Sequence, residues 1–127
     1  MPKTKEVNEW LKRAEDDLAA ARAITKENAP YWVACFHCQQ TAEKALKAAQ
    51  IYFLKDFQKE HDLEVLINSL QKHFKADSVR RPAINLTDYY VATRYPGIKE
   101  SELTRKDALL ALKDAEEILE YIKSKLK

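Results

Sequence analysis

The chain has 127 residues, of which 46% are hydrophobic and 33% charged, and its formal net charge is +2. It contains a single glycine, whereas average usage predicts about nine. The tight turns of all-β folds need glycine, so this composition indicates a helical protein. It also excludes the P-loop and the dinucleotide-binding loop, because each needs two or three glycines in a short run. A net charge near zero indicates by itself neither a nucleic-acid binder nor an acidic tail.

Hydrophobic residues at three- and four-residue spacing predict helices between the four prolines of the chain. The first helix is expected over about residues 5–26 and the second, which is the most apolar, over about 30–54. A third begins near Asp62 and ends near residue 75, followed by a polar connection over 76–81. A fourth runs from near Pro82 to about Arg94, with Ile84 in the core. After an irregular stretch over 95–103, the last helix opens at Thr104 and places Leu109 in the core.

These elements predict an all-α, up-and-down bundle of four to five helices. No repeat or low-complexity tract divides the chain, so residues 1–127 are expected to form a single domain. No run approaches the ~18 apolar residues of a membrane span, and the charged N-terminus lacks the apolar region of a signal peptide. Two cysteines without an export signal favour a cytoplasmic protein with reduced thiols.

The cysteines and histidines do not form a recognisable metal or redox motif. Cys35 and Cys38 flank His37 inside a predicted helix, whereas a zinc site needs four ligands and a redox CxxC follows a strand. We expect both thiols to pack in the core, and we expect no metal and no cofactor. His73 is expected on the surface and His37 on a helix flank or at an interface. His61 adjoins Asp62 at a helix start, where it either caps the helix or belongs to a site.

Basic residues offer weaker indications of an anion site. Lys44, Lys47, Arg80 and Arg81 could form a basic patch, although a solvated helix face is the commoner explanation. Arg94 can offset a helix dipole or present a planar fork to phosphate, with Tyr95, Tyr89 or Tyr90 as a stacking face. No acidic pair and no Ser/His/Asp set is present from which a hydrolase site could be assembled.

Four sequence blocks resemble one known family. Residues 38–48, CQQTAEKALKA, resemble the QQAAEKALKA signature of HEPN domains (higher eukaryotes and prokaryotes nucleotide-binding). Residues 61–63 match the HDL of that family and residues 94–96 match its RYP. Trp10 and residues 14–18 fit its opening. The resemblance implies a four- to five-helix bundle, similar to the substrate-binding domain of aminoglycoside nucleotidyltransferases, that forms a homodimer.

The resemblance also implies a partner and a ligand. Many stand-alone prokaryotic members pair with a small nucleotidyltransferase, some of them as toxin–antitoxin modules. His61, Asp62, Arg94 and Tyr95 are expected to converge on one polar cleft that binds a nucleotide or another anion. Lys44 and Lys47 are further candidates for binding such an anion. The aromatic residues expected to line either a dimer interface or a pocket are Trp32, Phe36, Tyr89 and Tyr90. Gln40 is a further dimer-interface candidate.

One large subset of the family consists of metal-independent ribonucleases that carry an Arg followed, after four to six residues, by a His. No Arg of this chain precedes a His at that spacing. The general acid or base of that reaction is therefore missing, and RNA is the less favoured partner. The sequence leaves three functions open: a binding module working with a nucleotidyltransferase, a divergent ribonuclease using His61, and a purely structural helical dimer.

Overall fold

The computed structural model describes residues 3–92 and 103–126. Six helical segments occupy these ranges, and no strand occurs in them. They are α1 (Lys5–Lys26), α2 (Tyr31–Leu54), α3 (Leu63–Leu70), α4 (Asp77–Thr87), α5 (Tyr89–Ala92) and α6 (Arg105–Lys125). The expected all-α fold class is confirmed.

The helix starts follow the capping rules. Thr4 Oγ1 accepts a hydrogen bond from the backbone N–H of Val7 at 3.2 Å, and Asp62 caps α3 through the N–H of Glu64 at 2.9 Å. At α6, Thr104 and Asp107 bond reciprocally in the expected capping box. Each cap satisfies backbone donors that have no partner within the helix.

Helix α2 lies at the centre of the bundle, with its largest contacts to α1 and α6 and further contacts to α3 and α4. Many of its buried positions are alanine, and these side chains are fully buried: Ala34, Ala42, Ala45, Ala48 and Ala49. Small side chains let neighbouring helices approach closely. Larger residues from α3 and α6, among them Leu66, Ile67 and Ile118, fill the space between the helices.

The short helices differ from the expectation. Helix α3 ends at Leu70, and α4 begins at Asp77, so the expected polar connection over 76–81 is largely helical and Pro82 lies inside a helix. Proline has no backbone N–H, so Pro82 cannot donate the helical hydrogen bond to the carbonyl of Ser78, four residues earlier. A proline in the interior of an exposed helix costs about 3 kcal/mol relative to alanine. Ser78 is exposed to water, which can hydrate that carbonyl, and the ring of Pro82 is buried. Both features offset the loss.

Two expected core residues lie on the surface: Ile84 is 49% exposed and Leu109 is 45% exposed. On α4 the buried residues are Val79, Pro82, Ala83 and Leu86, which share one helix face. Ile84 falls on the opposite face because successive residues turn by about 100°. Leu109 is displaced in the same way from the buried face of α6.

The cysteine and surface-histidine expectations are confirmed. Cys35 and Cys38 are free and buried, and burial raises the pKa of the Cys35 thiol to about 12. Such a thiol stays protonated and unreactive at neutral pH. His73 is exposed and stacks on Phe53 with ring centroids 4.9 Å apart. Among the described residues, no helix is both long and apolar enough to cross a membrane.

Candidate functional site

The polar residues of α2 lie inside the bundle. Glu43 and Lys47 each keep only 6% of their side-chain surface exposed, and Lys47 Nζ lies 3.0 Å from Glu43 Oε2. Gln39, which precedes Glu43 by one turn, is fully buried. The solvated-face interpretation of Lys47 is therefore wrong, because the connection between α2 and α3 covers these residues: Lys47 Nζ lies 5.7 Å from the centre of the Phe57 ring, and His61 contacts Glu43.

Glu43 is the centre of a buried hydrogen-bond network. Its Oε1 accepts a hydrogen bond from Gln39 Nε2 at 3.1 Å and contacts His61 Nδ1 at 3.0 Å. Its Oε2 accepts a hydrogen bond from the ammonium group of Lys47. Gln39 Nε2 also reaches the carbonyl of His61 at 3.3 Å, and Gln40 donates to Gln39 Oε1 at 2.7 Å. We call Gln39, Glu43, Lys47 and His61 the Glu43 network. It joins α2 to the connection that leads into α3.

The imidazole of His61 is where this network reaches the surface. Its side chain is 44% exposed, and its ring stacks on Tyr90 of α5 with centroids 3.9 Å apart and planes inclined by 12°. The side chain that caps α3 is that of Asp62. The interpretation of His61 as the helix cap is therefore wrong. Contacts on an edge and on a face therefore fix the position of this ring.

A cleft of about 300 Å³ opens beside this ring and is lined by Glu60, His61, Asp62, Thr87 and Tyr90. We call it the His61 cleft. The backbone N–H groups of Asp62 and His61 donate to the carboxylate of Glu60 and lower its pKa. The cleft is therefore lined by two carboxylates and an imidazole, and no Lys or Arg is among its described lining residues.

Lys44 belongs to a second cluster, at the contact between α1 and α2. Its Nζ lies 2.6 Å from Asp17 Oδ2, and His37 Nδ1 lies 2.8 Å from Asp17 Oδ1. Burial alone would raise the pKa of Asp17, but hydrogen bonds from His37 and Lys44 outweigh it and lower the pKa. His37 lies on a helix flank, as expected. We call these three residues the Asp17 cluster.

The structure distributes the basic residues among separate contacts. Lys47 pairs with Glu43, Lys44 pairs with Asp17, and Arg80 lies near Glu64 and Asp77. A ligand anion would have to displace Glu43 to reach Lys47. The anion-binding role of these lysines stays a prediction.

The remaining candidates divide into two groups. Arg94 and Tyr95 lie outside the described residues, so their convergence with His61 and Asp62 stays a prediction. Trp32, Phe36 and Gln40 lie four residues apart along one stripe of α2, and all three are half-buried. Tyr89 hydrogen-bonds Cys35, and burial raises the pKa of its phenol.

The sequence interpretation missed four residues of this region: Gln39, Glu43, Glu60 and Thr87. Glu43 lies within the EKALKA segment, and its spacing of four residues from both Gln39 and Lys47 was visible in the sequence. Three polar side chains on one stripe of the most apolar helix indicate a buried network once that helix is known to be central. Thr87 donates to the carbonyl of Ala83, a common local bond that carries no functional indication.

The sequence matches the family model described as "HEPN domain" over residues 7–125. It is 35% identical, over 132 aligned positions, to a Methanocaldococcus jannaschii protein named "Putative toxin MJ1304", and the alignment covers 93% of this chain and 86% of that protein.

Solved structures agree with this family match. TT1696 from Thermus thermophilus has a TM-score of 0.85 at 29% identity, with 97% of this chain and all 100% of that chain covered. ST0689, described as an archaeal HEPN homologue, has a TM-score of 0.79 at 29% identity, covering 98% of this chain and 100% of its own. A Thermotoga maritima HEPN domain protein, tm0613, has a TM-score of 0.74 at 24% identity, and the alignment covers 91% of this chain and 95% of that chain. This likeness shows the shared fold.

Proposed function

The chain belongs to the HEPN domain family, and from this premise we propose that it is a nucleotide-binding or accessory module that works with a small nucleotidyltransferase. We take residues 1–127 as one HEPN domain that acts in the cytoplasm. The similarity to the protein named "Putative toxin MJ1304" supports a role in a toxin–antitoxin-type pair.

The position of His61 is the observation that carries this proposal. Its ring is held on one edge by the buried carboxylate of Glu43 and on one face by Tyr90, at the mouth of a cleft. A buried ion pair is weak evidence for stability, because desolvation of the two charges offsets their attraction. The Glu43 network is better explained as a support for the exposed imidazole that it holds.

The ligand contacts follow from the same geometry. Nucleobases stack on aromatic rings, and the His61–Tyr90 pair supplies such rings at the cleft. Arg94 and Tyr95 follow Tyr90 by four and five residues in the sequence. We propose Arg94 as the phosphate contact, since a guanidinium group bonds two phosphate oxygens at once.

Nucleotide binding can be tested by calorimetric titration of AMP, ADP and ATP into the purified chain. We expect His61→Ala to weaken binding at least about tenfold, because one or more direct contacts are lost. The matched control is His73→Ala, which removes an exposed histidine that stacks on Phe53 outside the cleft. If no nucleotide binds the wild-type chain, the nucleotide proposal fails and the structural dimer becomes the better interpretation.

The partner can be tested by co-expression with the product of the neighbouring gene. We expect that product to be a small nucleotidyltransferase that copurifies with this chain. Expression of the chain alone should slow bacterial growth, and co-expression of the partner should restore it. A neighbour of unrelated class, or growth that neither expression changes, would contradict the toxin–antitoxin role.

Ribonuclease activity is the second candidate, and the pairing of Glu43 with His61 favours it. A histidine whose Nδ1 is bonded to a carboxylate can use Nε2 as a general base. The absence of the Arg-x4–6-His motif weighs against it. Purified chain is incubated with RNA and a metal chelator, beside His61→Gln and Arg94→Ala. Cleavage lost in His61→Gln would support the enzyme, whereas no cleavage, or equal cleavage by all three, would reject it.

A further inference from the structure

We infer that the His61 cleft binds the sugar of a ribonucleotide through its hydroxyl groups, with Nε2 of His61 as a hydrogen-bond acceptor. This inference rests on the proposed nucleotide binding. It goes beyond that proposal by specifying that the sugar is the part of the nucleotide that enters the cleft. It also implies that the cleft selects ribose over deoxyribose.

The tautomer of His61 follows from the partners of Glu43. Lys47 lies 3.0 Å from Oε2 and identifies Glu43 as an ionised carboxylate, which can only accept hydrogen bonds. Nδ1 of His61, 3.0 Å from Oε1, must therefore be the donor. In a neutral imidazole with its proton on Nδ1, the other nitrogen is an acceptor. Within residues 3–92 and 103–126, no hydrogen bond engages Nε2.

Of the other described lining residues, Glu60, Asp62 and Thr87 also offer hydrogen-bond acceptors. Glu60 and Asp62 contribute carboxylates that receive backbone N–H groups and keep lone pairs for further donors. The hydroxyl of Thr87 donates its proton to the carbonyl of Ala83, so towards the cleft its oxygen can only accept a hydrogen bond. Two carboxylates would repel a phosphate group. A neutral hydroxyl donates to such a lining without this repulsion.

A nucleotide carries such donors in its ribose hydroxyl groups. In dinucleotide-binding folds, an acidic side chain accepts a hydrogen bond from a ribose hydroxyl. The sugar would enter the cleft between Nε2 of His61 and the carboxylates of Glu60 and Asp62. Its phosphate would remain outside this acidic lining.

The first test compares AMP with 2′-deoxy-AMP and 3′-deoxy-AMP by calorimetric titration. We expect at least one deoxynucleotide to bind about tenfold or more weakly, because a site built for a hydroxyl is left with unpaired acceptors. In His61→Ala the difference should shrink to about twofold, whereas His73→Ala should keep it.

The outcomes separate the two proposals. If AMP and both deoxynucleotides bind wild-type protein equally, the sugar inference is overturned and nucleotide binding stands. If none of them binds, both proposals fail. If spermidine displaces AMP from the cleft, the acidic lining recognises a cation and the sugar inference is overturned.

The second test reads the tautomer directly and does not depend on any ligand. Long-range ¹H–¹⁵N spectra of the wild-type protein, recorded at alkaline pH, distinguish the two ring nitrogens of each histidine. We expect His61 to carry its proton on Nδ1, and Glu43→Gln to reduce that population. His73, which has no carboxylate partner among the described residues, serves as the internal reference. A proton found mainly on Nε2 of His61 in the wild-type protein overturns the inference.

Discussion

Two carboxylates of this bundle each hold an imidazole and an ammonium group, but with different consequences. Asp17 joins α1 to His37 and Lys44 of α2. Glu43 holds Lys47 of its own helix and His61 of the connection before α3. The Asp17 cluster connects two packed helices, whereas the Glu43 network ends at a cleft. The same set of groups therefore fixes helix packing in one place and orients an exposed ring in the other.

Asp17→Asn should destabilise the protein at neutral pH by about 1–3 kcal/mol, since it removes the charge that holds two partners. The pKa of Asp17 is lowered in the folded state. Its stabilising contribution is therefore present above the unfolded value of 3.8 and disappears as the pH falls through the lower folded value.

Urea unfolding at neutral and acidic pH measures both effects of Asp17→Asn. The wild-type protein should lose more stability than the variant between about pH 5 and pH 2. Asp16→Asn is the matched control, because that carboxylate is 61% exposed and pairs only with Lys12 among the described residues, so a change within about 0.5 kcal/mol is expected. Parallel pH profiles for wild type and Asp17→Asn would contradict this role.

The buried pair of Glu43 and Lys47 should show strong coupling. Lys47→Met leaves a buried carboxylate without its cation and should cost about 3 kcal/mol. Glu43→Gln leaves a buried ammonium group and should cost a similar amount. The double variant buries no charge, so we expect it to be more stable than either single variant.

A double-mutant cycle in urea measures this coupling. Lys12→Met is the control, since its pair with Asp16 is exposed and should contribute less than about 1 kcal/mol. Additive losses in the double variant would show that the two charges act independently.

The sequence named three residues that the structure places at the His61 cleft, but it did not single out Glu43, the buried carboxylate behind them. The match at residues 61–63 identified His61 and Asp62, and Tyr90 was named as an aromatic that could stack. The spacing of Glu43 and Lys47 was compatible with a surface pair. Their burial depends on how the connection between α2 and α3, with Phe57 and His61, folds against α2, and helical periodicity does not contain that information.

At the scale of whole elements, the long helices were predictable over their whole length and the short ones only in part: the start of α3 at Asp62 was expected, whereas the start of α4 was not. Helices α1, α2 and α6 have 22, 24 and 21 residues, and each repeats its apolar face over several turns. Helix α3 has 8 residues and α4 has 11. Helix α4 is so short that its single proline, Pro82, determined where the sequence pattern placed the start of the helix. Packing of Pro82 against the core overrides its local preference for a helix start.

The start of α6 should depend on its capping box. Thr104→Ala removes the side chain that accepts from the N–H of Asp107 at 3.3 Å, and should cost about 1 kcal/mol. Thr104→Ser keeps the hydroxyl and should stay within about 0.5 kcal/mol of wild type. Thermal unfolding followed by circular dichroism measures both variants. Equal losses for alanine and serine would assign the effect to the methyl group of Thr104 instead of the cap.

At the scale of the molecule, the central position of α2 gives it two functions at once. Its alanines allow α1 and α6 to pack closely, and its polar stripe supports the His61 cleft. Near its N-terminus, Trp32, Phe36 and Gln40 form a half-buried stripe. Aromatic residues are enriched at protein interfaces, and we propose this stripe as the centre of a homodimer contact.

Dimer formation can be checked by light scattering on a size-exclusion column. The wild-type mass should be about twice the 14.7 kDa of one chain. Phe36→Glu should give a single chain with an unchanged circular dichroism spectrum, because a charge at an interface centre is costly to desolvate. Ile84→Glu, at a 49% exposed position of α4, is the matched control and should remain a dimer.

Tyr90→Ala separates the cleft from the interface, since Tyr90 is a candidate for both. Its ring stacks on His61, so its main role is expected in the cleft. We therefore predict weaker AMP binding at an unchanged dimer mass. A loss of the dimer in Tyr90→Ala would place the cleft at the subunit contact. The His61 site would then be built by two chains, and Phe36→Glu should weaken AMP binding as well.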